Sequence, residues 1–132
     1  MISSVYPVLM STDVARSARF FTESFGFERV FEADWYVSLR RDAWELAVLD
    51  AHHPTIPEGY RTAAAGVLLN IEVDDVDREY ARMTASDEVQ LALDIRSEDF
   101  GQRHFIVAAP GGVLVDVIQP IPYTGEFADH AS

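Results

Sequence analysis

The sequence predicts an α+β fold made of two consecutive modules, each a strand followed by a helix and three further strands. The first observation is that this order of apolar runs occurs twice, over residues 3–50 and over residues 66–120. The second is that a similar tetrapeptide opens both predicted helices, Asp13-Val14-Ala15-Arg16 and Asp75-Val76-Asp77-Arg78, at an offset of 62 positions. The third is residues 51–65, whose two prolines and one glycine are typical of a connector. Together they indicate one duplicated architecture.

Hydrophobic spacing assigns the elements of the first module. An apolar run over residues 5–10 predicts the first strand, and Ser11 or Thr12 is positioned to cap the helix that follows. Gly26 is expected to end that helix. Apolar residues recur along one helical face, at Val14, Ala18, Phe21 and Phe25. Aromatic and β-branched residues predict strands over 27–32, 35–40 and 43–49, with a turn at 41–42.

The second module repeats this order. We expect a strand over 66–73, a helix that Asp74 or Asp75 caps and that reaches about residue 85, and strands over 89–95, 104–109 and 113–119. Residues 96–101 are predicted to be a polar loop, and Pro110-Gly111-Gly112 a turn. The tail over 121–132 has no clear periodicity, so we expect it to fray or to pack on a neighbouring chain.

Each module alone would carry a helix on one sheet face and nothing on the other. Two modules side by side predict an eight-stranded curved sheet around a cup-shaped cavity, with the helices outside. A concave, partly apolar surface of this kind is where a small-molecule ligand binds.

Composition excludes several functional classes. The 132 residues are 48% hydrophobic and 24% charged, as in an ordinary globular protein, and the formal net charge is −12. That charge repels phosphate backbones, so we expect no nucleic-acid partner, and it favours cationic ligands. The absence of cysteine excludes disulfides, thiolate metal sites and a cysteine nucleophile.

The sequence also carries no sign of a membrane or secretory segment. Residues 1–10 lack the basic and then apolar order of a signal peptide, and the longest nearly apolar stretch, 63–69, is too short to span a bilayer. We expect a soluble, cytoplasmic protein with no membrane partner.

Two segments resemble a known family. Residues 13–21 with Phe25-Gly26-Phe27 are similar to the opening helix of the vicinal oxygen chelate superfamily, and residues 105–120 are similar to its closing hairpin. This superfamily includes glyoxalase I, extradiol dioxygenases, fosfomycin-resistance enzymes and bleomycin-resistance proteins. The resemblance implies paired βαβββ modules, a small-molecule ligand and a homodimer.

The resemblance also implies where a divalent metal would be held. Metal-dependent members use one ligand from the first strand of each module and one from its last strand. Those positions correspond to Tyr6 or Pro7, to Glu45 or Ala47, to Leu68 and to Asp116. Tyrosine, proline and leucine are not ordinary ligands of such ions, so we expect no metal and no other cofactor.

Two polar residues on the last strands are candidate ligand contacts. Asp116 shares one predicted strand face with Leu114 and Ile118, so it either meets a ligand in the cavity or pairs with Arg103 or another basic side chain. His104, at the start of a strand, either acts as a base or hydrogen-bond partner for a ligand or packs as a structural residue.

Aromatic side chains are the other candidates. Tyr6, Trp35, Trp44 and Phe100 lie on or near predicted strands, and the two tryptophans are expected to face one another across a hairpin. Aromatic rings stack on planar ligands and attract cations, although packing in the core is their commoner use. Glu45 is expected to anchor a cationic group.

Three functions fit this sequence. The favoured hypothesis is a metal-free protein that binds a cationic or aromatic small molecule, as in sequestration of a toxic or antibiotic-like compound. The second is a metal-dependent lyase, isomerase or dioxygenase of the glyoxalase type. The third is a protein-association module without a small ligand.

Overall fold

The chain folds as two compact units. The structure, a computed structural model, describes residues 1–130. One unit comprises Met1–Ala65 with Pro110–Gly112, and the other comprises Gly66–Ala109 with the chain from Val113 onward. Each unit contains one βαβββ module, as the repeat predicts.

The first unit is a four-stranded sheet with one helix. Its strands follow the order β1-β4-β3-β2, with β1 parallel to β4 and the other neighbours antiparallel. The elements are β1 (Val8–Ser11), α1 (Val14–Phe25), β2 (Glu28–Glu32), β3 (Tyr36–Arg41) and β4 (Trp44–Asp50).

The second unit has the same topology, in the order β5-β8-β7-β6 with β5 parallel to β8. The elements are β5 (Leu68–Glu72), α2 (Val76–Thr84), β6 (Gln90–Glu98), β7 (Gln102–Ala108) and β8 (Leu114–Pro120). The predicted α+β class with two βαβββ modules is therefore confirmed. No helix in the described part of the chain is long and apolar enough to cross a bilayer.

The repeated tetrapeptide is the capping sequence of both helices. The Asp13 carboxylate accepts a hydrogen bond from the Arg16 backbone N–H at 3.1 Å, and the Asp75 carboxylate accepts one from Arg78 at 3.1 Å. The prediction of Ser11 or Thr12 as the first cap is wrong, because the Ser11 hydroxyl instead contacts the Ser17 hydroxyl at 2.7 Å. Gly26 ends α1 with φ of 69°, as predicted.

One strand boundary differs from the prediction in a way that affects the functional site. β6 continues through Glu98, so residues 96–98 are part of a strand and the predicted polar loop 96–101 is too long. Arg96 pairs with His104, and Glu98 pairs with Gln102. Pairing with β7 outweighs the low strand propensity of this polar stretch.

The tail packs on its own unit rather than fraying. The Thr124 backbone N–H donates to the Asp99 carbonyl at 2.9 Å, and a 3₁₀ helix follows over Gly125–His130. The Tyr123 ring lies against Gly101, whose φ is 87° and whose added Cβ would lie 2.2 Å from a ring carbon. The expectation of fraying is corrected for residues 121–130, the expectation of packing on a neighbouring chain stays a prediction, and residues 131 and 132 lie outside the described part.

This contact predicts the effect of a methyl group at Gly101. Gly101→Ala must either displace the Tyr123 ring or distort the turn. We expect it to lower the free energy of unfolding by about 1–3 kcal/mol more than Gly59→Ala does. Gly59 is a matched control because its φ is 88° and an added Cβ would meet nothing within 4 Å. Urea denaturation of both variants measures the difference, and equal losses would contradict the contact.

Candidate functional site

The sheet of the second unit has one face that packs on α2 and one that faces away from it. The Val76 backbone N–H, at the start of α2, donates to the Gln119 side-chain oxygen at 3.0 Å. The Tyr80 ring of α2 lies edge-on to Phe105 with ring centroids 5.3 Å apart. Side chains alternate along a strand, so Asp116 on β8 and His104 on β7 lie on the face away from α2.

A charged network occupies that face. The His104 Nδ1 atom lies 2.7 Å from the Asp116 carboxylate, and its Nε2 atom lies 2.8 Å from Glu98. Arg96 also donates to Glu98, at 2.8 Å. His104 and Asp116 are each 5% exposed, so the imidazole lies between two carboxylates and largely out of solvent.

The geometry favours the imidazolium form of His104. Both ring nitrogens donate a hydrogen bond only when both are protonated. Burial alone would lower the pKa of His104, but the hydrogen bonds and charges of Glu98 and Asp116 outweigh burial and raise it. The pKa of Glu98 is lowered, first by the hydrogen bond from His104 and then by Arg96.

The network shows which side chain pairs with Asp116, and the role of Asp116 and His104 as ligand contacts stays a prediction. Arg103 pairs with Asp77 of α2 at 2.9 Å and not with Asp116. The partner of Asp116 is His104, so two residues that the sequence singled out separately belong to one cluster. The predicted loop over 96–101 gives no reason to single out Glu98, which the structure places at the end of β6. Strand pairing would have placed it beside His104.

The registers of the two parallel strand pairs identify equivalent positions in the modules. Val8 pairs with Ala47, and Asn70 pairs with Asp116. The offset of 62 positions makes Val8 equivalent to Asn70, so Ala47 is the counterpart of Asp116. Glu45 instead forms an ion pair with its cross-strand neighbour Arg40 at 2.8 Å.

These registers show which residues occupy the metal-ligand positions that the family resemblance implies. The four corresponding positions hold Tyr6, Ala47, Leu68 and Asp116. Alanine and leucine offer no donor, and the single carboxylate is already hydrogen-bonded to His104. Within residues 1–130, no group of three or more histidine or acidic residues is arranged to hold a metal ion. The residues therefore do not fit a divalent metal at the family position.

The first unit carries an aromatic cluster, which we define as Tyr6, Phe31, Trp35, Tyr36 and His53. Tyr36 lies 6.2 Å from Phe31 and 5.6 Å from Trp35 between ring centroids. Trp35 stacks on His53 at 4.0 Å with an interplanar angle of 16°. Burial raises the pKa of Tyr36, and the charge and hydrogen bond of Tyr6 raise it further.

The cluster is accessible, and acidic residues are near it in sequence. Trp35 is 38% exposed, Tyr6 45% and Phe31 54%. Glu32 and Asp34 flank it in sequence and are exposed, and the Asp50 backbone N–H donates to the Trp35 carbonyl at 2.8 Å. Exposed aromatic faces attract cations.

Two other predicted aromatic residues lie elsewhere. The guanidinium of Arg41 donates to the Phe25 carbonyl at the end of α1, so Arg41 lies on the α1 side of the sheet. Trp44 is the cross-strand partner of Arg41 and therefore lies on the same side. Trp35 precedes β3 at the other end of the hairpin, so the prediction that the two tryptophans face one another is wrong. Phe100, in the turn between β6 and β7, lies edge-on to Phe127 of the tail at 6.0 Å.

Comparison with known proteins agrees with this architecture. The Glyoxalase/Bleomycin resistance protein/Dioxygenase superfamily model matches residues 4–117. The chain belongs to this superfamily. No curated protein sequence matches it significantly.

Solved structures share the fold at low sequence identity. A lactoylglutathione lyase from Agrobacterium tumefaciens is 20% identical with a TM-score of 0.70, covering 89% of this chain and 94% of that one. A glyoxalase/bleomycin resistance protein/dioxygenase from Nocardioides is 15% identical with a TM-score of 0.76, covering 96% and 89%. TioX from Micromonospora sp. ML1 is 19% identical with a TM-score of 0.72, covering 91% and 100%. At these identities the likeness establishes the fold alone.

The His104 network predicts a pH dependence of stability. The pKa of His104 is raised in the folded state, so the network stabilises the fold fully when the pH is below the unfolded-state pKa of 6.5. This stabilisation is lost as the pH rises through the pKa of the folded state. We expect His104→Gln to destabilise by about 3–5 kcal/mol at pH 6, and by less at pH 9. Denaturation at the two pH values measures this.

His52→Gln is the matched control for that measurement. The His52 side chain is exposed, and its backbone N–H donates to the Asp50 carboxylate at 3.0 Å. We expect this variant to follow the wild-type stability at both pH values. A His104→Gln loss that is the same at pH 6 and pH 9 would contradict the imidazolium assignment.

Proposed function

We propose that this protein binds a small molecule without a metal ion. The observation that carries the proposal is the set of residues at the family ligand positions. Tyr6, Ala47 and Leu68 supply no ordinary metal donor, and His104 donates to the remaining carboxylate, Asp116, at 2.7 Å. An imidazolium beside Asp116 supplies the positive charge that a metal would otherwise bring.

The aromatic cluster suggests the class of ligand. Trp35, Tyr6 and Phe31 present exposed ring surface, which stacks on a planar ring and attracts a positive charge. The formal net charge of −12 raises the local concentration of cations. We infer a planar aromatic ligand with a positive charge, and the biological role we propose is sequestration of a toxic or antibiotic-like compound by a cytoplasmic homodimer.

A metal-dependent reaction of the glyoxalase type is the second candidate. The fold shared with the Agrobacterium lactoylglutathione lyase favours it, at 20% identity. The donor set argues against it, since one carboxylate cannot replace several ligands. A protein-association role without a small ligand is the third, and it leaves the exposed aromatic cluster unexplained.

The first test is binding of a panel of cationic and of aromatic probes. Cationic glycopeptides, quinones and 1-methylquinolinium can be titrated while the indole N–H signals of the two tryptophans are followed by NMR. Trp35→Ala is expected to weaken 1-methylquinolinium binding about tenfold, because stacking on the indole is lost. Trp44→Ala is the matched control and is expected to leave the affinity unchanged. Equal losses would remove the aromatic cluster from the proposed site.

The second test concerns the metal. Protein prepared with added zinc, nickel, manganese and iron, and then dialysed, is expected to hold well below one equivalent of any of them by elemental analysis. Binding of 1-methylquinolinium is expected to be the same with and without a chelator. One equivalent of metal per chain, or turnover of a hemithioacetal or catechol that depends on added metal, would overturn the proposal in favour of the enzyme.

A further inference from the structure

The face of the second sheet that points away from α2 carries two adjacent leucines that are open to solvent. Leu68 of β5 and Leu114 of β8 are partners in the parallel register. Both lie on the face that Asp116 occupies, because Asp116 follows Leu114 by two positions along β8. Leu68 is 49% exposed and Leu114 38%, so the pair offers apolar surface to the aliphatic part of a ligand.

Asp116 presents a free hydrogen-bond acceptor on the same face. Its Oδ1 atom lies 2.7 Å from His104 Nδ1, and its Oδ2 atom has no hydrogen-bond partner among residues 1–130. Asp116 is only 5% exposed. Every fully buried side-chain oxygen and nitrogen in the described part of the chain has a partner, so Oδ2 must reach accessible surface. A carboxylate oxygen that is nearly buried and open in one direction favours a donor held against it.

Asn70 lies beside this acceptor and offers the complementary group. Asn70 and Asp116 are partners in the register of β5 and β8, so both side chains are on the same face of the sheet. Asn70 is exposed, and its carboxamide makes no hydrogen bond to any residue that the structure describes. A carboxamide nitrogen carries two N–H donors. The two side chains therefore present an acceptor and a donor on adjacent strands.

The charges around Oδ2 favour a neutral ligand group. Glu98 and Asp116 are balanced by Arg96 and by the imidazolium of His104, so the network has no net charge. An anion would meet the lone pairs of Oδ2, and a cation would lose its hydration against a set that is already neutral. A neutral N–H group satisfies the open oxygen without adding a charge.

We propose that this face of the second unit binds a neutral amide on an aliphatic ring. The amide N–H donates to Asp116 Oδ2, its carbonyl accepts from the Asn70 carboxamide, and the ring lies on Leu68 and Leu114. A lactam presents its N–H and its carbonyl on the same side, which suits two side chains on adjacent strands. The inference goes beyond the proposed function, since it concerns the second unit and does not require the aromatic cluster to bind.

The test compares two probes of one shape. ε-Caprolactam and ε-caprolactone share a seven-membered ring, and the lactone has an oxygen in place of the N–H. We expect the lactam to shift the methyl NMR signals of Leu68. The lactone is expected to bind about tenfold more weakly, because the hydrogen bond to a charged acceptor is lost and a lone pair of the lactone faces Oδ2 instead. This comparison removes the donor without altering the protein.

Substitutions at exposed side chains locate the lactam. Leu114→Ala is expected to weaken its binding about threefold through lost apolar contact, and Asn70→Ala by a similar factor through the lost hydrogen bond. Leu91→Ala is the matched control and is expected to leave the affinity unchanged. Leu91 is 39% exposed, but it pairs with Val107, which shares the α2 side of the sheet with Phe105.

Each contrary result overturns a different statement. Equal affinities for the lactam and the lactone, or equal losses in Leu114→Ala and Leu91→Ala, would overturn the inference. If 1-methylquinolinium binds at Trp35 while the lactam leaves Leu68 unchanged, the inference fails and the proposed function stands. If the lactam binds as expected while the cation does not bind at all, the ligand class proposed for the aromatic cluster fails and this inference stands.

Discussion

The parallel pairing of the first strand with the last strand of each module is the constraint on which the rest of the site depends. Val8 beside Ala47 and Asn70 beside Asp116 are equivalent pairs, so the duplication fixes which residues face away from the helices. The same register makes Tyr36, opposite Leu49, the counterpart of His104, opposite Ile118. One module thus carries an aromatic cluster where the other carries a charged network, and the asymmetry arises from side chains on a shared backbone.

The charged network shows how a buried carboxylate is tolerated without a metal. An ionised Asp116 would be costly at 5% exposure unless a positive charge neutralised it. His104 supplies that charge, and Glu98 with Arg96 completes a neutral set in which each carboxylate is hydrogen-bonded. The network contains residues of β6, β7 and β8, so it also stabilises the association of these three strands.

Periodicity and turn residues were sufficient to predict the order of elements, because the core of each module follows regular apolar spacing. The extent of β6 was not predictable in the same way, since Arg96, Ser97 and Glu98 have no apolar pattern and are held by pairing with β7. Asp116 and His104 were recognisable as polar residues in apolar strands, but their contact depends on strand register. Trp35 and Trp44 do not meet because they lie at opposite ends of the β3–β4 hairpin, which turns at residues 42 and 43 rather than at 41 and 42.

The most direct test of a metal-free site is the protonation of His104. Nitrogen-15 NMR at pH 6 distinguishes a ring with two protonated nitrogens from a ring with one. We predict that both nitrogens of His104 are protonated, with signals that do not change when zinc or nickel is added. An unprotonated nitrogen whose signal shifts on addition of one equivalent of metal would contradict the account, because Asp116 and His104 would then be acting as metal ligands.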